Sequence, residues 1–309
     1  MEPRKGKDVT RAVIIYNPHS GSEDALNYAE RLTEKVNYLY DEVDSRPISE
    51  DLGPKELVIK ACQAGVDAIY IMGGDGTISE AINGLYGQAC QPTIGILPFG
   101  TMNNLATMLG IPLDHNQAVE MHGDMAKKKI ELGLANDRLF ISSITAGILP
   151  KFIDEVESEE KNKLGPLAYI KGAMQALTND KTNRFRITFD GQEEEWNFGA
   201  LVVATGNSIA RMQNFFPEAA LDDGKLTLLG LTESTTMGKL NALTSVVGSG
   251  NNEADELIQH TFTECTIDLI DDSEGSPSLL VDGDENSSFP LHIKVLPNAM
   301  EVFVPKDVQ

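Results

Sequence analysis

Ala68-Ile69-Tyr70-Ile71-Met72-Gly73-Gly74-Asp75-Gly76-Thr77 decides how the rest of the chain reads. A run of β-forming apolar residues leads into three glycines that bracket one aspartate. Ile78-Ser79-Glu80-Ala81-Ile82-Asn83-Gly84-Leu85 follows with helical spacing. The pattern predicts a strand, a glycine turn and the start of a helix. Glycine lets backbone amides approach an anion with no Cβ in the way. A helix N-terminus adds partial positive charge. A carboxylate repels phosphate, so Asp75 fits a ligand to phosphate-bound Mg²⁺ or an acceptor from a ribose hydroxyl. The local reading is a nucleotide phosphate site. The competing reading is a plain strand-to-helix turn, because short glycine motifs recur without function.

Upstream, Ala12-Val13-Ile14-Ile15-Tyr16 reads as a buried first strand that runs into the turn-forming cluster Asn17-Pro18-His19-Ser20-Gly21. A helix is expected from about Asp24 to Tyr40, with Ala25, Tyr28, Leu32, Val36 and Leu39 on one face. Tyr38 to Val43 reads as a short second strand ended by Ser45-Arg46-Pro47, and a helix near Pro54–Ala64 follows. Downstream, Pro92 to Pro98 is a fourth strand that opens into Phe99-Gly100-Thr101-Met102-Asn103-Asn104, with Thr101 as the expected N-cap. Three strand ends carrying glycine with serine or threonine are hard to explain as turns alone. The alternation argues for a parallel sheet, whose ligands bind at the carboxyl ends of the strands.

The chain has 309 residues, enough for two domains or one large one, and no apolar run of membrane-spanning length. Nothing at the N-terminus reads as a signal peptide. Cys62, Cys90 and Cys265 are few and far apart, without zinc spacing. They predict reduced thiols and a cytoplasmic protein. A formal charge of −22 argues against nucleic acid as partner and against broad adhesion to an anionic bilayer. Lys127-Lys128-Lys129 is the one basic triplet, readable as a local patch or as an exposed strand edge kept soluble by lysines.

From about Ile130 the pattern changes. Residues 140–144, 185–189, 200–204 and 226–229 look like strands, and Asp190-Gly191 is a hairpin signal. Helices are expected near Leu164–Thr178 and Met237–Val247. A second, mostly β domain over 130–297 follows from this, after an α/β domain over 1–129 to which a return strand at 298–309 belongs. Ala220-Leu221-Asp222-Asp223-Gly224-Lys225 and Val281-Asp282-Gly283-Asp284-Glu285 are acidic turns. The first reads as a structural turn or a cation site, the second as a hairpin tip or the source of a general base.

Taken together, Asn17 to Gly21, Gly73 to Thr77 with Glu80 and Asn83-Gly84-Leu85, Gly100-Thr101-Met102-Asn103, Leu164 to Tyr169, Pro217 to Ala219 with Asp223-Gly224, and Asp282-Gly283 resemble the diacylglycerol kinase catalytic family. This family of bacterial lipid kinases is similar to sphingosine kinases and, more distantly, to NAD kinases and phosphofructokinases. The resemblance implies a Rossmann-like N-terminal nucleotide domain and a C-terminal β-rich sandwich, with the site between them. It implies ATP as donor, Mg²⁺ as cofactor and a lipid hydroxyl as acceptor, most simply diacylglycerol giving phosphatidate. By position, Asn17, Pro18, His19, Ser20, Gly21, Ser45, Gly73, Gly74, Asp75, Gly76, Thr77, Ile78, Ser79, Glu80, Thr101 and Asn103 resemble the ATP-contacting segments. Asp223 with the carbonyls of Ala220 and Lys225 resembles a structural Mg²⁺ site. Asp284 stands where the family's glutamate base stands.

The departures are as informative as the matches. Asp284 is one methylene shorter than glutamate, giving up about 1.5 Å of reach. Asn104 stands where an aspartate is common, Thr107 where an arginine is, Glu131 for a frequent aspartate and Ser142 for a frequent asparagine. The implied mechanism is phosphoryl transfer with Asp75 and Asp284 as catalytic carboxylates. An NAD kinase-like enzyme is the second reading. A nucleotide- or lipid-binding regulatory protein without catalysis is the third. Membrane access is expected to be peripheral, through an apolar rim that includes Phe215-Phe216, and a homodimer stays open.

Overall fold

The computed structural model describes residues 9–20, 24–147, 182–209, 215–232, 255–271, 276–285 and 287–307. The helices expected near Leu164–Thr178 and Met237–Val247, the motif Leu164 to Tyr169, and Gly21 lie outside the described residues. The chain divides into two compact units, residues 1–130 with 298–309 and residues 131–297.

The first unit is built on parallel strands β1 (Arg11–Tyr16), β2 (Glu42–Pro47), β3 (Ala68–Gly73) and β4 (Thr93–Pro98). β1 lies between β2 and β3, and β4 lies on the far side of β3. β3 and β4 are buried at every position, as strands covered on both faces must be. Helices α1 (Ala25–Val36), α2 (Pro54–Gln63), α3 (Asp75–Leu85), α4 (Asn104–Met108) and α5 (His115–Met121) connect and cover them. Helix α1 buries Ala25, Ala29, Leu32 and Val36, one stripe at helical spacing, against Ile14, Tyr70, Met72 and Leu97. Leu32 and Val36 contribute about 1.5–3 kcal/mol each by this burial. Pro54 opens α2 at a position where its missing N–H costs nothing. α2 and α3 approach closely at Gly84, where an added Cβ would lie 2.8 Å from the Lys55 carbonyl oxygen.

In the second unit, β5 (Ala126–Ala135) enters from the first unit and pairs with the short β6 (Arg138–Phe140). The 13-residue β9 (Gln192–Ala204) organises the remainder. Along one edge it pairs with β8 (Asn183–Phe189) and then β7 (Ser143–Gly147), and along the other with β10 (Leu226–Thr232). β11 (Leu257–Phe262) continues from β10, and β12 (Glu264–Leu269) from β8. β13 (Leu279–Val281) pairs with β7. Phe140, Phe185, Phe198 and Phe262 fill the core. The expected hairpin at Asp190-Gly191 is present, both residues having positive φ (46° and 90°) as a type I′ turn needs. β14 (Leu291–Val304) pairs with β12 near its start, and Val302 pairs with Ile94 of β4 near its end.

Several expectations need correction. The second strand runs through Ser45-Arg46-Pro47 instead of ending there, because it is the edge strand and an edge tolerates proline. Thr101 is not a helix cap; α4 begins at Asn104, after Asn103 in the left-handed region. Cys62 and Cys90, expected as free thiols, are joined by a disulfide with Cα atoms 5.4 Å apart, and Cys265 is a buried free thiol. α2 ends and β4 begins at the same end of the sheet, which brings the two cysteines together. Phe215 and Phe216 are buried, 5% and 1% exposed, and form no apolar rim.

Candidate functional site

In the first unit the β-ladder sets three loops level. Tyr16 pairs with Met72, and Gly73 pairs with Pro98, so β1, β3 and β4 end at one edge. The loops that leave them carry Asn17 to Ser20, Gly74 to Gly76, and Phe99 to Asn103. The Asn17 amide donates to the Met72 carbonyl, its side-chain Oδ1 accepts from the His19 amide, and its carbonyl accepts from the Ser20 amide and hydroxyl. His19 is exposed.

Gly73 is the last residue of β3, Gly74 is the N-cap, and Asp75-Gly76-Thr77 already forms the first turn of α3. The Ile78 amide donates to the carbonyl of the N-cap Gly74 at 3.0 Å. The amides of Asp75, Gly76 and Thr77 precede it and are the helix's N-terminal donors. Thr77 folds back over Gly73, where an added Cβ would meet its side chain at 2.6 Å. Ile78 and Ser79 are buried in the helix face, and Glu80 is exposed.

Asp75 joins the two glycine loops. Its Oδ2 accepts from the Asn103 amide and its Oδ1 from the Asn104 amide, both at 2.7 Å. Asn103 in turn closes its own loop, with Oδ1 accepting from the Gly100 amide at 2.8 Å and Nδ2 donating to the Gly100 carbonyl at 2.9 Å. The loops touch backbone to backbone, so that a Cβ on Gly100 would lie 2.4 Å from Gly74 Cα. Thr101 is exposed at the tip. Ser45 is the outlier of the set. It pairs with Ile14 inside β2, and the loop after that strand carries Ser49, whose hydroxyl accepts from the Leu52 amide.

The second unit holds the other candidates. Asp282 and Gly283 both have positive φ (51° and 90°) and form a tight turn bracketed by reciprocal bonds between Val281 and Asp284. The Asp282 carboxylate accepts from the amides of Ile141 and Ser142 at 3.0 and 2.9 Å, and more weakly from Ser143. The Asp284 carboxylate projects from this anchored turn and is paired with Arg138. Neither Asp282 as anchor nor Arg138 as partner was legible in the sequence, since an isolated charge carries no periodic signal.

At the other acidic turn, the Asp223 carboxylate accepts from the amides of Ala220 (3.3 Å) and Lys225 (2.9 Å). Glu131 lies against it, 1% exposed, with Oε2 accepting from the Gly224 amide at 2.7 Å. Burial pushes its carboxyl up to about 7, against the Gly224 amide and with added repulsion from Asp223 and Asp222. Its Oε1 is buried without a partner. An orphaned buried carboxylate oxygen beside two further carboxylates and the turn's carbonyls is a hard-oxygen donor set that suits Mg²⁺. Among the described residues no three such side chains converge on one point, so carbonyls or water complete the set. The orphaned buried atoms include Asn104 Oδ1, Glu131 Oε1 and Ser142 Oγ, three of the positions at which the sequence departs from the family pattern.

The first unit is a parallel α/β unit with two glycine loops tied together at its strand ends, the second is an antiparallel β unit, and comparison with known proteins gives the class. The family model described as diacylglycerol kinase catalytic domain matches residues 11–135, and that described as YegS C-terminal NAD kinase beta sandwich-like domain matches 142–304. The chain belongs to the diacylglycerol kinase family and is by class a lipid kinase. A Streptococcus pneumoniae protein named "Putative lipid kinase" is 30% identical over 95% of this chain and 97% of its own length. A Staphylococcus carnosus diacylglycerol kinase is 29% identical over 97% and 96%. A crystal structure of a diacylglycerol kinase from Bacillus anthracis superposes with a TM-score of 0.77 at 23% identity, covering 98% of this chain and all of that one, which speaks to the fold.

Proposed function

We propose that the protein transfers the γ-phosphate of ATP to a lipid hydroxyl, with diacylglycerol as the first acceptor to try. The observation that carries this reading is the Asp75 cross-tie, which makes one anion cradle of two glycine loops at the strand ends. Amides at the start of α3 and those of Thr101 and Met102, between the internally bonded Gly100 and Asn103, face phosphate oxygens, and the 17–20 loop supplies further contacts. No Cβ intrudes at Gly74 or Gly100, so phosphate and backbone meet directly.

Mg²⁺, when bound, offsets the charge that develops between β- and γ-phosphates. Asp75 would hold it while keeping its amide bonds, through shared oxygens or through water. Asp223, with the carbonyls of Ala220 and Lys225 and the buried Glu131, would hold a structural ion. Asp284 accepts the proton of the acceptor hydroxyl, a step that typically contributes about 10²–10⁴-fold. Asp284→Asn is therefore expected to lose turnover on that scale while ATP affinity stays within about twofold of wild type. Wild-type turnover in that variant would remove Asp284 from the mechanism.

The supporting experiment follows label from γ-labelled ATP with Mg²⁺ into a panel of lipids in mixed micelles, and into NAD. Label in one lipid, lost in Asp75→Ala, is the expected result. Label in NADP would instead favour the second reading, which draws on the NAD kinase-like description of the C-terminal family model. Contact with the lipid surface is taken to be peripheral; among the described residues no helix is long and apolar enough to cross a membrane.

A further inference from the structure

We infer that Arg138 is the positioning residue for the Asp284 carboxylate, holding Oδ2 so that Oδ1 is presented to the acceptor hydroxyl; this rests on the lipid kinase reading with Asp284 as base. Arg138 Nη2 lies 2.5 Å from Asp284 Oδ2. The Arg138 side chain is 21% exposed, against 34% for Arg31, 43% for Arg11 and 57% for Arg184 in their own ion pairs. Exposed pairs contribute little because water and rotamer entropy compete with them. A mostly covered guanidinium has fewer alternatives, so its single carboxylate partner is held in one place.

The arginine is itself fixed. It begins β6, paired with Ala135 of β5, and the next two residues, Leu139 and Phe140, are buried at 3% and 0%. Phe140 packs flat over Gly133, where an added Cβ would overlap its ring at 2.1 Å. The strand cannot slide without expelling that ring.

The turn that carries Asp284 is fixed to the same stretch of chain. Asp282 accepts from the amides of Ile141, Ser142 and Ser143, directly after β6. Residues 138–143 therefore grip the turn twice, by backbone at Asp282 and by side chain at Asp284. The two grips do different things. Asp282 sets where the turn lies; Arg138 sets which way the neighbouring carboxylate faces. Asp284 is 49% exposed, and its Oδ1 has no hydrogen-bond partner among the described residues. A short, half-exposed aspartate would otherwise sample several rotamers. The guanidinium removes that freedom.

The reach lost with the missing methylene makes orientation matter more than it would for glutamate. A displacement of about 1 Å between reacting groups costs on the order of 10²-fold in rate.

The test measures kcat and KM for phosphoryl transfer from ATP to diacylglycerol in mixed micelles for Arg138→Met, Arg138→Lys, Asp284→Asn and the double variant Arg138→Met/Asp284→Asn. Arg138→Met is expected to lower kcat about 10²-fold, with both KM values within about twofold. Arg138→Lys should recover part of that loss. The double variant should be no slower than Asp284→Asn alone, since a base that is absent cannot be misplaced. Thermal melts of each variant separate these effects from unfolding; Arg138→Lys keeps the charge and the stem and carries the test if Arg138→Met melts early. Wild-type kcat in Arg138→Met, a loss carried by KM, or fully multiplicative losses in the double variant would each overturn the inference and leave Asp284 as base. Full turnover in Asp284→Asn, or no transfer to any lipid by the wild type, would overturn the parent reading and the inference with it.

Discussion

Asp75 makes two backbone bonds at once that an asparagine cannot. The amide side chain offers one acceptor oxygen, so in Asp75→Asn either the Asn103 or the Asn104 amide loses its partner and faces an NH₂ group. That costs about 1–3 kcal/mol for an unsatisfied buried donor. The expected outcome is a lower melting temperature without ligand and a much reduced upward shift on adding ATP with Mg²⁺. A melt identical to wild type in both conditions would mean that the cross-tie holds nothing together. His122 gives a separate prediction. Its Nδ1 lies 2.7 Å from the Ala118 carbonyl, its Nε2 has no partner, and burial lowers its pKa to about 4 from an ordinary 6.5. The folded state therefore holds it neutral. Its contribution is fully present above pH 6.5 and is lost as pH falls towards 4, by up to about 3 kcal/mol. Glu131, with its raised carboxyl, works in the opposite direction near pH 7. Comparing urea melts of wild type and His122→Phe across pH 4–7 isolates the histidine; equal slopes would remove it as the cause.

Elements differ in how far residues alone revealed them. Strands β1, β3 and β4 were legible because each is a short apolar run with glycine or proline at or just beyond its end, as burial between covering layers demands. The loop contact was legible because Gly100 has no room for a Cβ, which would lie 2.4 Å from Gly74 Cα, and Gly74 has little. Gly100→Ala is expected to push the loops apart and abolish the ATP-dependent melting shift with little change in the second unit's fold. Edges and crossings were not legible. β2 passes through Pro47 because its outer side pairs with nothing among the described residues, a fact about the sheet that local sequence does not carry. Arg138 meets Asp284 across 146 residues. Cys62 and Cys90 are 28 residues apart, and they meet because α2 ends and β4 begins at the same end of the sheet. Closing that loop covalently restricts the unfolded chain, and the chain-entropy model assigns about 3–4 kcal/mol to it. Cys62→Ser should lower the melting temperature of the oxidised protein to that of the reduced one, and mass spectrometry with thiol labelling reads the bond directly.

The whole molecule carries a formal charge of −22. An acidic protein meets an anionic surface against repulsion that falls off over about 10 Å at 0.1 M salt. Turnover on micelles doped with anionic lipid is therefore expected to rise between low and moderate salt, while turnover on zwitterionic micelles changes little. Equal salt responses on both surfaces would show that contact is made through a patch whose charge is unlike that of the chain.

β14 has a further consequence. Its last residues belong to the first unit, where Val302 pairs with Ile94 beside a strand buried at every position. A ribosome delivers that segment only after the whole of the second unit. Until then the nascent first unit has an unpaired edge at β4. A fragment stopping at residue 130 should accumulate as aggregate, and supplying residues 298–309 at the end of a short linker should rescue its solubility.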